Sequence, residues 1–145
     1  MAALDPVVGN ALNDVLLANA ASGSVNLIIG SITYTAPYAC RFDSVLGVAG
    51  TAGTVIAGTS SVAINGLFAN ASASVTNVPT KANTAAISIT TTSATGSPWN
   101  GVEIFDANAT TPKRILFGPT AGLAKAFASG DILSIPIGNM SLTTT

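Results

Sequence analysis

The sequence predicts an all-β chain: an antiparallel β-sandwich, jelly-roll-like, with one N-terminal helix. Three observations lead there. Eight or nine short apolar runs follow residue 23 at regular spacing, each bounded by Gly, Asn, Asp or Pro, which is the grammar of a sandwich or barrel. Several of these runs alternate apolar and polar residues, the period of a half-buried strand. Before residue 23 the apolar residues recur instead at helical spacing. At 145 residues the chain fits one β-domain over 24–145 with a helical arm over 1–23, and no linker divides it.

The helix is expected over 5–20, "DPVVGNALNDVLLANA". Asp5 is placed to cap it, and Pro6 falls at the first helical position, where its missing N–H costs nothing. Val8, Leu12, Val15 and Leu16 form one apolar stripe, and Ser22-Gly23 ends the element. A helix of about four turns is marginal alone, so that stripe must dock on something.

Strands then follow in order. "SVNLII" at 24–29 and "SITYTA" at 31–36 flank Gly30. "YACRFDSVL" at 38–46 sets Tyr38, Cys40, Phe42 and Leu46 on one face and Ala39, Arg41, Asp43 and Val45 on the other, which predicts that Arg41 and Asp43 sit in solvent. "GVAGTAGTVIAGTSS" at 47–61 is a glycine-rich hairpin region; it lacks the Lys-Ser/Thr pair that would close a phosphate loop. "SVAING" at 61–66 and "ASVTNV" at 73–78 are further short strands, and Pro79 with Lys81 marks a boundary or a protected edge. "TAAISITTTS" at 84–93 alternates again. Residues 99–118, "WNGVEIFDANATTPKRILFG", have the form of a β-hairpin. Trp99 and Phe105, evenly spaced on one strand, are expected to share its buried face, with Phe117 meeting them from the paired strand. Ser129-Gly130-Asp131 forms a tight turn before a strand over 132–135, which Pro136 is expected to bend or to confine to a sheet edge.

Charge is the unusual feature of the composition. Charged residues make up 8% of the chain, against roughly 25% in an ordinary soluble domain. A surface of Thr, Ser and Asn is cheap to desolvate and suits packing against neighbours. The five basic residues, Arg41, Lys81, Lys113, Arg114 and Lys125, are scattered, so no nucleic-acid partner is expected. The apolar runs are far shorter than the ~20 residues of a spanning helix, so no membrane partner is expected either.

Catalytic chemistry finds little material. There is no histidine, and Cys40 is alone, best read as a small buried hydrophobe. No metal or other cofactor is expected, and no enzymatic activity. Asp5 is a helix cap, Asp131 a turn residue, and Asp106 opens a loop in which Asp bonds backbone. Glu103 and Asp43 remain as the one pair that could face each other as in a glycosidase. Trp99 with Tyr34 and Tyr38 is the one set that could form a sugar-binding platform, against the alternative that Trp99 is a core anchor.

The second half of the chain resembles a family of small virion proteins of tailed bacteriophages, best represented among actinobacteriophages and often labelled minor capsid, head decoration or tail-fibre proteins. The matching elements are Trp99, "EIFDA" at 103–107, "ILFG" at 115–118, "SGD" at 129–131 and "ILSI" at 132–135. Upstream, "NTAAISITTT" at 83–92 and "YACRFDSVLGVAGTAGTVIAG" at 38–58 are also similar. The resemblance implies a structural protein of the virion: a capsid decoration (cement) protein on the outer capsid surface, with the major capsid protein and its own copies as partners, expected as a homotrimer. A tail or tail-fibre component and a carbohydrate-binding adhesin module are the alternatives. On this reading the stripe Val8, Leu12, Val15 and Leu16 is an assembly contact.

Overall fold

A computed structural model of the chain describes residues 8, 27–35, 38–64, 66–68, 80–94, 98–107, 111–123 and 126–143. The expected helix, apart from Val8, and the expected strand over 73–78 lie outside them, as do Leu12, Val15 and Leu16. Val8 is 53% exposed.

The described residues are all-β. The strands are β1 (Leu27–Ile29), β2 (Ile32–Tyr34), β3 (Ala39–Val45), β4 (Thr54–Val55), β5 (Val62–Ala63), β6 (Thr80–Ala82), β7 (Ile87–Thr90), β8 (Trp99–Phe105), β9 (Arg114–Leu123), β10 (Ile132–Ile135) and β11 (Ser141–Thr143). Every pairing with a defined register is antiparallel. The residues group into two compact units. One holds the described residues of 1–37, 64–87 and 135–145, the other those of 38–63 and 88–134.

In the first unit β1 and β2 form a tight hairpin around Gly30-Ser31, with Leu27 opposite Tyr34 and Ile29 opposite Ile32. β6 pairs with β11. Beside that pair the buried Asn83 organises the turn over 136–140. Its Oδ1 accepts from the Met140 N–H at 2.9 Å, and its Nδ2 donates to the carbonyls of Ala85 at 2.8 Å and Pro136 at 2.9 Å. A buried amide is tolerated when its donors and acceptor are met in this way. Among the described residues of this unit, Ile64, Phe68, Ile87 and Ile135 are buried.

The second unit is built on the sheet β4-β3-β8-β9, with β5 also pairing β3. Cys40 lies opposite Ile104, Arg41 opposite Glu103, and Phe42 opposite Val102; Glu103 in turn lies opposite Phe117. Tyr38, Cys40, Phe42, Ile56, Trp99, Ile104, Phe127 and Leu133 are buried. Trp99 packs on Phe42 with ring centroids 5.3 Å apart, and its indole N–H donates to the Gly101 carbonyl at 2.9 Å. The turn before β10 is the expected one. The Ala128 N–H donates to the Asp131 carboxylate at 2.9 Å, and the Thr91 hydroxyl donates to the Ala128 carbonyl at 2.5 Å.

The structure overturns several expectations about which side chains face inward. Trp99 is buried as expected, but Phe105 is only half-buried and Phe117 is 46% exposed. The register of β8 against β9 shifts between Trp99 and Gly101 and again between Ile104 and Phe105. Even spacing therefore no longer implies a shared face. Leu46, expected to be buried, is half-buried, beyond a further register shift between Asp43 and Val45. Arg41 and Asp43, expected in solvent, are not: Asp43 is fully buried and Arg41 half-buried.

Burial separates the aromatic residues energetically. Trp99→Ala is expected to cost about 3–5 kcal/mol, read from chemical denaturation. Phe117→Ala is expected to cost no more than about 1 kcal/mol, since it removes an exposed ring and one cation–π contact.

Candidate functional site: a buried arginine–carboxylate cluster

The polar face of β3 meets those of β8 and β9 around Glu103. Alternation along β3 puts Arg41 and Asp43 on one face, and the β3–β8 register sets Glu103 directly opposite Arg41. Arg114 comes from the start of β9. Glu103 is fully buried and accepts from both guanidinium groups: Arg41 Nη2 meets Oε2, and Arg114 Nη1 lies 2.6 Å from Oε1. Arg41 Nε also donates to Asp43 Oδ1 at 3.1 Å.

The hairpin loop over 46–54 closes this cluster. The Gly53 N–H donates to Glu103 Oε1 at 2.8 Å, and the Gly53 carbonyl accepts from Arg41 Nη2 at 3.2 Å. Arg114 donates to the Thr51 carbonyl at 2.8 Å and to the Val48 carbonyl. The glycines matter here for the space they leave. A Cβ at Gly47 would fall on Glu103 Oε1 and Arg114 Nη1, and one at Gly53 would lie 2.5 Å from the Val45 carbonyl oxygen and 2.8 Å from Asp43 Oδ2. The expected glycine-rich hairpin therefore folds back onto the sheet and supplies backbone partners to the cluster.

Phe105 and Phe117 cover the outer sides of the two arginines. The Arg41 guanidinium carbon lies 4.4 Å from the Phe105 ring centroid, and that of Arg114 lies 4.3 Å from the Phe117 centroid. Stacking on a ring face leaves the in-plane N–H groups free for carboxylate and carbonyl acceptors, a use of Arg that Lys does not share. This is why these two rings are not core residues.

The two carboxyls have opposite titration behaviour. Burial alone would raise Glu103, but the Arg114 hydrogen bond, the Gly53 N–H and the two guanidinium charges outweigh it and hold Glu103 below its ordinary value. Burial pushes Asp43 up to about 6; Arg41 opposes that rise, and the charge and hydrogen bonding of Glu103 add to it. Asp43 Oδ2 is buried with no hydrogen-bond partner among the described residues. By linkage the Glu103 contribution to stability is present above its ordinary value and is lost as pH falls through the lowered one. The Asp43 contribution runs the other way: it is full below 3.8 and is lost as pH rises through about 6.

The other sequence-flagged groups have structural partners. Asp106 is buried, accepts from the Lys113 N–H at 2.6 Å and pairs loosely with Lys113 Nζ at 3.9 Å, closing the loop between β8 and β9. The Cys40 thiol is fully buried, and burial, with the Asp43 charge adding, pushes it up to about 12. Asp43 and Glu103 do face one another, as a glycosidase pair would, but both are closed off and bound to arginine. Trp99 and Tyr38 are buried, which leaves Tyr34 without the rest of the proposed sugar platform. Of the stripe named as an assembly contact, only Val8 is described, and it is exposed. Sequence reasoning missed the cluster itself. Its signal was a lone Glu103 inside an apolar strand, opposite Arg41 and next to a strand that begins with Arg114.

Comparison with protein-family models, with characterised proteins and with solved structures found no match.

Glu103→Gln is expected to cost about 3 kcal/mol, because it leaves two half-buried guanidiniums without the buried carboxylate they share. Thermal unfolding at neutral pH would show it. Gly47→Ala is expected to destabilise the protein as well, whereas Gly50→Ser, where a Cβ meets nothing, leaves the cluster contacts intact and carries only the strain of a side chain at a φ of +80°. Cys40 is expected to resist alkylation in the native protein and to react at once when the chain is unfolded in denaturant.

Proposed function

We propose that this chain is a structural virion protein of a tailed bacteriophage: a capsid decoration protein that binds the outer surface of the assembled shell and stabilises it, alongside further copies of itself. The observation that carries the reading is where the charge goes. Each charged side chain with a described position, Arg41, Asp43, Glu103, Asp106, Lys113, Arg114 and Asp131, is engaged inside the chain. Among the described residues the exposed surface is therefore poor in free charge. It also presents large apolar side chains, including Val45 at 60% and Val48 at 62%. Val48 and the exposed Phe117 flank Arg114, whose charge Glu103 already balances. Such a face loses little on leaving water and gains from apolar burial. The resemblance of residues 38–58 and 83–135 to phage virion proteins adds the identity of the assembly.

The function follows from mass action. A protein that binds the assembled shell and not its separated subunits stabilises the shell by an amount per site that grows with the logarithm of its free concentration relative to Kd. Weak contacts suffice when they are repeated over a lattice. The sugar-binding alternative is disfavoured by the buried indole of Trp99.

The test is to add purified protein to capsids that lack it and to follow co-sedimentation and the location of added density by electron cryomicroscopy. Saturable density on the outer shell, with raised thermal stability of the particle, is the expected result. Density at the tail, or no binding to expanded shells, would overturn it. Val48→Asp with Phe117→Asp is expected to weaken binding at least tenfold while leaving the β-domain folded.

A further inference from the structure

We infer that Asp43 is a proton-operated latch for the hairpin loop over 46–54. The inference goes beyond particle binding and does not depend on it.

The geometry is that of a carboxyl with one satisfied oxygen and one bare one. Asp43 Oδ1 accepts from Arg41 Nε, while Oδ2 is buried with no donor among the described residues. A Cβ on Gly53 would lie 2.8 Å from Oδ2, so the loop borders this buried oxygen at Gly53. Leaving a carboxylate oxygen buried without a donor is costly, whereas a protonated carboxyl at the same place is not. The groups facing it are Arg41 on its own strand, Glu103 on β8 and, through Glu103, Arg114 on β9. The loop itself, residues 46–54, carries no titratable side chain. Arg41 already serves Glu103 and the Gly53 carbonyl, and Glu103 can only accept. A proton on Asp43 is thus the donor that the carboxyl pair lacks.

Ionisation changes this balance. The second negative charge beside Glu103 needs hydration at Oδ2, and the route to Oδ2 is displacement of the loop. The contacts that hold the loop, from Gly53 N–H to Glu103, from Arg41 to the Gly53 carbonyl and from Arg114 to the Thr51 carbonyl, open together. Because the closed form binds the Asp43 proton more tightly than an open, hydrated form does, the loop is most firmly shut in mild acid. It loosens as pH rises, levelling off above about 6, where the closed form itself is ionised.

Amide hydrogen exchange at Gly53 reads the latch, corrected for the intrinsic rate at each pH. Between pH 4.5 and 6.5 its protection is expected to fall by roughly twentyfold, the ratio that linkage gives for a carboxyl moving from its ordinary value to about 6. The Asn83 amide, held by the Met140 carbonyl in the other unit, serves as the control and should not follow that fall. Asp43→Asn, which stays neutral and keeps an acceptor for Arg41, is expected to abolish the change. Constant protection in the wild type, or the same fall in Asp43→Asn, would overturn the inference. If that variant does not fold, the wild type still decides. The Asp43 carboxyl carbon and the Gly53 amide must titrate with one midpoint in the NMR spectrum, and separate midpoints would contradict the latch.

Discussion

Two arginines and two carboxylates withdrawn from water on one face of a sheet have to satisfy one another. Glu103 is where that requirement concentrates. It is fully buried, it receives both guanidiniums, and it also takes the Gly53 N–H. Most of the second unit's polar face can be derived from it. The β3–β8 register must bring Arg41 opposite Glu103, β9 must start with Arg114 close by, and the 46–54 loop must lie flat enough for Gly47 and Gly53 to approach the charges. Buried ion pairs are not in general a source of net stability, since desolvation offsets their attraction. Their value lies in the alternatives they exclude. A one-residue slip of β3 against β8 would turn Arg41 to the opposite face and leave Glu103 with Arg114 alone, which fixes the register more firmly than apolar packing alone.

The cluster also ties the interior to the surface. With these charges paired, Val45, Val48 and Phe117 stay exposed, and Phe117 also covers Arg114. One arrangement therefore sets both the rigidity of the glycine-rich loop and the surface available to a neighbour. A chain with so few charges that placed them on the outside would present a different and more soluble surface.

The fold class was legible because strand alternation and turn residues are local signals. The turn at Ser129-Gly130-Asp131, the strand ending before Pro136 and the buried Trp99 all follow from neighbours in sequence. The positions of Arg41, Asp43 and Phe117 were not legible, for a single reason. Alternation assigns polar residues to solvent by default, and only the pairing of three strands distant in sequence shows that this polar face is covered. Phe105 and Phe117 lie on the Glu103 face of the sheet, and the register shift between Trp99 and Gly101 separates Trp99 from them in a way no spacing rule anticipates. The tie between Asn83 and the turn over 136–140 is hidden likewise, since it links residues far apart in sequence.

A double-mutant cycle between Glu103 and Arg114, using Glu103→Gln, Arg114→Met and the double variant in chemical denaturation, measures the interaction on which these conclusions rest. A coupling energy of about 2 kcal/mol or more is predicted for a charge pair buried and hydrogen-bonded as this one is. A coupling of about 0.5 kcal/mol or less, the value of an exposed ion pair, would contradict a buried cluster that fixes the loop and the sheet register.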